Sequence, residues 1–212
     1  MTCGTMRRIT TTCSALKTLR VKQPSGALKT VKLKKIAKER WVCHNLSFLE
    51  LTIAATTFED MTFYQDSGDY YEPTESDQEL WEYCRKFYRQ LGKLTMLQVL
   101  ILKMAVSSEE VESQRATFPG LLPLGNSENG RPGYLLHLRR LAHLKELRGP
   151  FHLAIPEMAA TFGIQEVQCI MSQWPKLATI ELLQANEDRP AVFDTYPQLS
   201  SLVIWKPWIH LC

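Results

Sequence analysis

The sequence lacks the features of secreted and membrane-spanning proteins. No run of about 18 apolar residues occurs, so no transmembrane helix is predicted. The first residues, Met1–Thr12, are polar, and Arg7 and Arg8 are not followed by the apolar stretch of a secretory signal. A cytoplasmic or nuclear location is therefore expected.

The cysteines form no recognisable pair. None of the six lies in a C-x-x-C spacing, and cysteines of a reducing compartment are normally free thiols. Free thiols are therefore predicted at Cys3, Cys13, Cys43, Cys84, Cys169 and Cys212.

Catalytic and metal-binding motifs are also missing. The five histidines form no H-E-x-x-H motif, and no G-K-[ST] follows the glycines of the segment 117–133. The acids of the segment 58–75 do not follow the D-x-D-x-D-G spacing of a calcium loop. We therefore expect no enzyme activity, no cofactor and no metal site.

Charge is unevenly distributed along the chain. The net charge is only +3. Between Met1 and Trp41, however, eleven Lys or Arg stand against the single acid Glu39, and between Ala55 and Leu80 eight acids occur without a base. Such a dipolar chain favours oriented binding to a partner.

A repeated L-x-x-L-x-L pattern, with Ile or Val allowed, is the main positive signal. It occurs at Leu16/Leu19/Val21, Leu28/Val31/Leu33, Leu46/Leu49/Leu51, Leu97/Leu100/Leu102, Leu177/Ile180/Leu182 and Leu199/Leu202/Ile204, and a degenerate copy, Leu144/Leu147, breaks at Gly149-Pro150. The residue three positions before the first leucine also recurs, as cysteine in Cys13 and Cys43 and as leucine in Leu94 and Leu141. Trp174-Pro175 and Tyr196-Pro197 precede two further copies.

This frame predicts an α/β fold of one domain, 1–212. We expect an irregular leucine-rich-repeat solenoid, with short parallel strands on the concave face and helices or loops on the convex face. Helices are predicted from the capping box at Ser76, from Pro132 and from about Ile164. Insertions are expected at about 56–77 and 117–133. The first two copies start only twelve residues apart, so one of them is expected to be a hairpin or a chance match.

Strand alternation predicts which residues face outward. Counting the first leucine as one, positions three, five and seven point away from the leucine core. From these positions we predict a partner-binding concave face that includes Arg20, Lys22, Lys32, Lys34, Phe48, Glu50, Ile101, Lys103, Glu181, Val203 and Trp205.

The predicted face is basic at its N-terminal end and apolar at its C-terminal end. It suits a protein client with an acidic stretch beside an apolar anchor, and Trp205 would be the hot spot. The alternative is that Ile101, Val203 and Trp205 are covered by loops or by a further repeat.

The basic run Leu28–Arg40 raises the alternative of a nucleic-acid-associated protein. Its lysines alternate with Val31 and Leu33, as in a strand with one solvated face, and no aromatic residue is interleaved for base stacking. Nucleic acid is therefore not expected as the partner.

Three segments resemble the F-box-like leucine-rich-repeat proteins of fungal type. They are Trp41-Val-Cys-x-Asn-Leu-x-x-Leu-Glu-Leu, Tyr88-x-Gln-Leu-Gly-Lys-Leu-Thr-x-Leu-x-Val-Leu and Trp174-Pro-x-Leu. The resemblance implies a substrate-recognition role in a ubiquitin ligase, in which an F-box holds a Skp-type adaptor and the repeats hold the client. No F-box is recognised before Cys13, so the adaptor is expected only if the complete chain contains one. The alternative is a repeat adaptor unrelated to ubiquitin ligases.

Overall fold

The structure, a computed structural model, describes residues 3–21, 31–54, 75–104, 133–149, 164–184 and 203–207. The helices are α1 (Cys3–Thr12), α2 (Leu33–Ala37), α3 (Glu75–Leu91), α4 (Leu135–Leu138) and α5 (Ile164–Gln173). The strands are β1 (Thr18–Arg20), β2 (Val31–Lys32), β3 (Phe48–Ala54), β4 (Val99–Met104), β5 (Glu146–Arg148), β6 (Thr179–Gln184) and β7 (Val203–Pro207). Both predicted insertions lie largely outside the described residues, although α3 begins inside the first one.

The strands form one parallel sheet. Its order is β1-β3-β4-β5-β6-β7, and the short β2 also pairs with β3. From β2 to β6 a helix stands between each strand and the next, and parallel neighbours need such crossover connections. The predicted α/β class with parallel strands is therefore confirmed. Within the described ranges, no helix is both long enough and apolar enough to cross a membrane.

Five copies of the leucine pattern share one turn before their strands. In each, the backbone N–H of the first leucine donates to the carbonyl three residues earlier, over 2.9–3.3 Å: Leu16 to Cys13, Leu46 to Cys43, Leu97 to Leu94, Leu144 to Leu141 and Leu177 to Trp174. The recurring residue before each copy is therefore the start of a structural turn. We call each turn with its following strand a unit.

Backbone hydrogen bonds join each unit to the next at one fixed position. The carbonyl of Lys17 accepts from the N–H groups of Ser47 and Phe48, and the Ser47 carbonyl accepts from Gln98 and Val99. The same pair of hydrogen bonds to one carbonyl recurs at Gln98, which accepts from the fourth unit, and at Lys145, which accepts from the fifth. The five units therefore stack in a single register.

The core lies between the sheet and the helices. Equivalent strand positions hold Leu19, Leu49, Leu100, Leu147 and Ile180, which pair in register and are all buried. Helix residues such as Phe87 and Val167 are part of the same buried hydrophobic core. A single unit has no second apolar surface, so stacking is what buries each leucine.

The aromatic residues of the helices extend this core. Tyr88 in α3 and Tyr134 just before α4 stack with ring centroids 4.7 Å apart, and Phe87 makes edge contacts with both Tyr88 and Trp41. All four rings are buried. These ring contacts therefore pack α3 against the segments that contain Trp41 and Tyr134.

The predicted starts of two helices agree with the structure. Helix α5 begins at the predicted Ile164, and α3 begins one residue before the predicted capping box. The helix predicted from Pro132 is α4, and it ends at Leu138. The next leucines, Leu141 and Leu144, belong to the turn of the fourth unit. Helix α1 was not predicted, although Met6 and Thr10 are buried one helical turn apart.

The copy at Leu28 is not a unit of the stack. Its Val31 pairs with Ile53, so β2 lies against the far end of the same strand that β1 borders. Leu33 then begins α2. The expectation that one of the first two copies is not a true unit is confirmed. Placing Lys34 at an outward strand position was wrong, because a short apolar run fits a helix turn as well as a strand.

The last copy is shifted by one residue from its predicted frame. The prediction aligned Leu202 with Ile180, whereas β7 pairs Val203 with Ile180 and Trp205 with Leu182. Val203 and Trp205 therefore occupy the register positions of the leucine core and not the outward positions. A slip of one residue exchanges the two faces of a strand.

Candidate functional site

The face of the sheet opposite the leucine core carries a mixed polar and apolar surface, called the outer face here. Its described side chains come from positions three, five and seven of the five units: Thr18, Arg20, Phe48, Glu50, Thr52, Val99, Ile101, Glu146, Arg148, Thr179 and Glu181. Register aligns Thr18, Phe48, Val99, Glu146 and Thr179 in one row across the sheet. A second row runs through Arg20, Glu50, Ile101 and Arg148.

An ion pair stands at the β1 edge of the outer face. Arg20 Nε lies 2.6 Å from Glu50 Oε2, and the side chains are 45% and 10% exposed. The Arg20 guanidinium also lies 4.7 Å from the centroid of the Phe48 ring, within the range of a cation–π contact. The predicted Arg20, Phe48 and Glu50 are therefore brought together.

A second ion pair lies within β5, between Arg148 and Glu146. The sequence prediction missed both residues, because the copy at Leu144 breaks at Gly149-Pro150 and its outward positions were not assigned. The spacing of Leu141, Leu144 and Leu147 was the available signal, since it places Glu146 and Arg148 at positions three and five.

Between the two ion pairs lies an apolar patch. Phe48 pairs in register with Val99, and Ile101 follows Val99 two residues later on the same strand. All three side chains are partly exposed, whereas Glu50 and Thr52 beside them are buried. The described apolar residues of the outer face therefore lie near the middle of the sheet, on β3 and β4. The side chains of the predicted apolar C-terminal end, Val203 and Trp205, lie outside those that the structure describes.

The remaining predicted site residues are not among the described side chains of this patch. Lys22 lies outside the described residues. Lys32 and Lys103 occupy the outward rows, opposite Ala54 and Thr52, but only their backbone is described. Glu181 is partly exposed in β6. Only backbone is described for Val203 and Trp205 as well.

Lys34 lies among the helices. Its Nζ is 3.1 Å from Glu79 Oε1 and 5.2 Å from the centroid of the Tyr83 ring. The Glu79 carboxylate, and then the Tyr83 side chain, raise the pKa of Lys34. The Tyr83 hydroxyl, which donates to Glu79 over 2.6 Å, and then Lys34 lower the pKa of Glu79. Lys34 is therefore held in a surface cluster between α2 and α3.

Four of the described cysteines are free thiols that differ in their exposure. Cys13 is exposed, Cys169 is half-buried, and Cys43 and Cys84 are buried free thiols. Burial raises the pKa of Cys43, Cys84 and Cys169, which disfavours the reactive thiolate. In the part of the chain that is described, no three His, Cys, Asp or Glu side chains lie close enough to hold a metal ion.

Comparison of the chain with protein-family profiles, with curated proteins and with solved structures finds no match.

Proposed function

We propose that this chain is an irregular leucine-rich-repeat array whose outer face binds a protein client. The repeat architecture is supported by the shared turn and the double hydrogen bond that recur through five stacked units. Extended faces of this kind serve as binding surfaces because neighbouring strands present their side chains in parallel rows.

The arrangement of the outer face carries the proposal. Protein interfaces combine an apolar centre with a polar rim, and Phe48, Val99 and Ile101 lie between the Arg20–Glu50 and Arg148–Glu146 ion pairs. Ion pairs at the rim orient a partner, and the apolar centre supplies most of the binding free energy. A client with an apolar side chain flanked by charges of both signs fits this surface.

The resemblance to F-box-like repeat proteins extends the proposal to the substrate receptor of a ubiquitin ligase. In that role the outer face holds the client and a Skp-type adaptor binds an F-box elsewhere in the complete chain. A repeat adaptor outside the ubiquitin system uses the same face, so the identity of the accompanying proteins separates the two roles.

Cross-linking and affinity purification test the client-binding role. Proteins recovered with the native chain are compared with those recovered with Ile101→Glu, which places a charge in the apolar patch. Leu136→Glu is the matched control, because Leu136 is 49% exposed on α4, away from the outer face. We expect Ile101→Glu to lose a defined set of proteins that Leu136→Glu retains, while both variants melt as cooperatively as the native chain.

Recovery of a Skp-type adaptor and a cullin with both variants would support the ligase role, since the adaptor binds outside the outer face. Recovery of client proteins without the Skp-type adaptor and the cullin would support a repeat adaptor outside the ubiquitin system. Identical protein sets for Ile101→Glu and the native chain would contradict binding through the outer face.

A further inference from the structure

The edge of the sheet at which the strands begin has a charge distribution of its own. It is formed by the five turn segments 12–17, 42–47, 93–98, 140–145 and 173–178, called the turn edge here. These segments contain no Asp or Glu. They carry the exposed side chains of Lys17, Lys93, Arg140, Lys145 and Lys176, together with the exposed His44 and His143.

The backbone fixes the spacing of the five turn segments. Each segment is joined to the next by the hydrogen bonds between Lys17 and Ser47, Ser47 and Gln98, Gln98 and Lys145, and Lys145 and Ala178, all 2.7–2.8 Å long. Adjacent strands lie about 4.8 Å apart, so the turn edge is a row roughly 19 Å long.

Several cations elsewhere in the described part of the chain pair with carboxylates. Glu39, just after α2, pairs with Arg7 of α1, and Glu79 of α3 pairs with Lys34 of α2. On the outer face Glu50 pairs with Arg20. In the turn edge, Lys93 Nζ donates to the neutral Gln90 amide oxygen, and Lys176 Nζ lies 3.1 Å from His143 Nδ1. The five turn segments themselves therefore contribute positive charge and no carboxylate.

We propose that the turn edge binds the phosphate backbone of double-stranded nucleic acid without regard to sequence. Roughly 19 Å of duplex carries about five to six phosphates on one strand, close to the five Lys and Arg of the row. This inference is independent of the proposed client binding, because it uses a different surface of the same units.

Duplex fits this edge better than other anionic partners. Single strands need exposed aromatic rings for base stacking, and the only aromatic ring other than histidine in the turn edge, Trp174, is buried. Membrane-surface binding needs a continuous apolar face, whereas Met96 is the single strongly exposed large apolar residue of the five segments. An acidic peptide would lack an apolar pocket to anchor it here.

Fluorescence anisotropy with a 20-base-pair duplex of arbitrary sequence tests the proposal at several salt concentrations. We expect a Kd of about 10⁻⁶–10⁻⁴ M and a slope of log K against log salt of about −4 to −5, because five cations displace counterions. Replacing Lys17, Lys93, Arg140 and Lys145 by Gln should weaken binding more than tenfold and reduce the slope by about three to four. The single variant Lys145→Gln should reduce the magnitude of this salt slope by about one.

The matched control replaces Arg8, Lys35, Lys38 and Lys86 by Gln, which removes the same charge from exposed positions on α1, α2 and α3 and just after α2. We expect this control to keep the slope of the native chain, and melting followed by circular dichroism should show both variants folded. Equal weakening in both variants would overturn the proposal, as would a failure of the native chain to bind duplex. Equally tight binding of poly-glutamate or of phosphatidylserine vesicles through the same four residues would also overturn it.

Discussion

The indole N–H of Trp174 donates to the backbone carbonyl of Leu138 over 3.2 Å, in the buried interior. Trp174 begins the turn of the fifth unit, and Leu138 ends α4 ahead of the fourth. This contact therefore joins two units through a side chain as well as through the ladder of backbone hydrogen bonds.

Substitutions at Trp174 should separate its hydrogen bond from its volume. Trp174→Phe keeps most of the apolar volume and loses the indole donor, so we expect it to lower the free energy of unfolding by about 1 kcal/mol. Trp174→Ala should cost about 3–5 kcal/mol, because it also leaves a cavity. Urea unfolding measures both values, with the exposed Met171→Ala as the control. An equal decrease in the free energy of unfolding for Trp174→Phe and Trp174→Ala would contradict a contribution from the packing of this side chain.

A methyl group at Gly92 should destabilise the junction between α3 and α4. A Cβ atom built on Gly92 would overlap the backbone carbonyl of His137, which has no flexible end that could move aside. Backbone movement of this kind typically costs about 1–3 kcal/mol, so Gly92→Ala should lower the free energy of unfolding by that amount. The neighbouring Lys93→Ala, at an exposed position, should change stability by less than about 0.5 kcal/mol. Thermal unfolding of the two variants compares them directly, and an unchanged melting temperature for Gly92→Ala would refute the close approach.

The ion pair between Arg20 and Glu50 should be stronger than a surface pair of the same protein. Glu50 is only 10% exposed, whereas Lys34 and Glu79 are 49% and 59% exposed. A double-mutant cycle with Arg20→Ala and Glu50→Gln should give a coupling free energy of about 1–2 kcal/mol, because the partners are less screened by water. The same cycle at Lys34 and Glu79 should give a smaller coupling free energy, because both side chains are largely exposed to solvent. A smaller coupling at Arg20 than at Lys34 would show that screening is not the deciding factor.

The stability of the fold should decrease in alkaline solution through its buried thiols. Burial raises the pKa of Cys84 far above its ordinary value, while in the unfolded chain a cysteine titrates near pH 8.5. Above that pH the unfolded chain releases this proton and the folded chain retains it. The free energy of unfolding should then decrease by about 1.4 kcal/mol per pH unit for this thiol.

Urea unfolding under reducing conditions between pH 7.5 and 10 measures this slope. Below about pH 8 the contribution of Cys84 is fully present. Cys84→Ala should flatten the slope without abolishing it, because burial also raises the pKa of Cys43 and Cys169. An identical slope in the native chain and in Cys84→Ala would mean that Cys84 releases its proton in the folded state.

The sequence by itself determined the repeating unit of this protein. The leucine spacing and the residue three positions before it are local, because a turn and a strand of a few residues depend on neighbouring side chains. For this reason Cys43, Leu94 and Leu141 could be identified in advance as equivalent positions, and they all begin the same turn. The outward placement of Arg20, Phe48 and Glu50 followed from the same alternation.

Only the tertiary structure decided how the copies of the pattern pair with one another. Sequence spacing cannot tell that β2 extends along β3 instead of forming a unit, that Lys34 enters a helix, or that Val203 takes the place predicted for Leu202. These outcomes depend on contacts between segments far apart in the chain, and short apolar runs satisfy more than one such pairing. The acid-free turn edge likewise exists only because stacking brings five separate turns into one row.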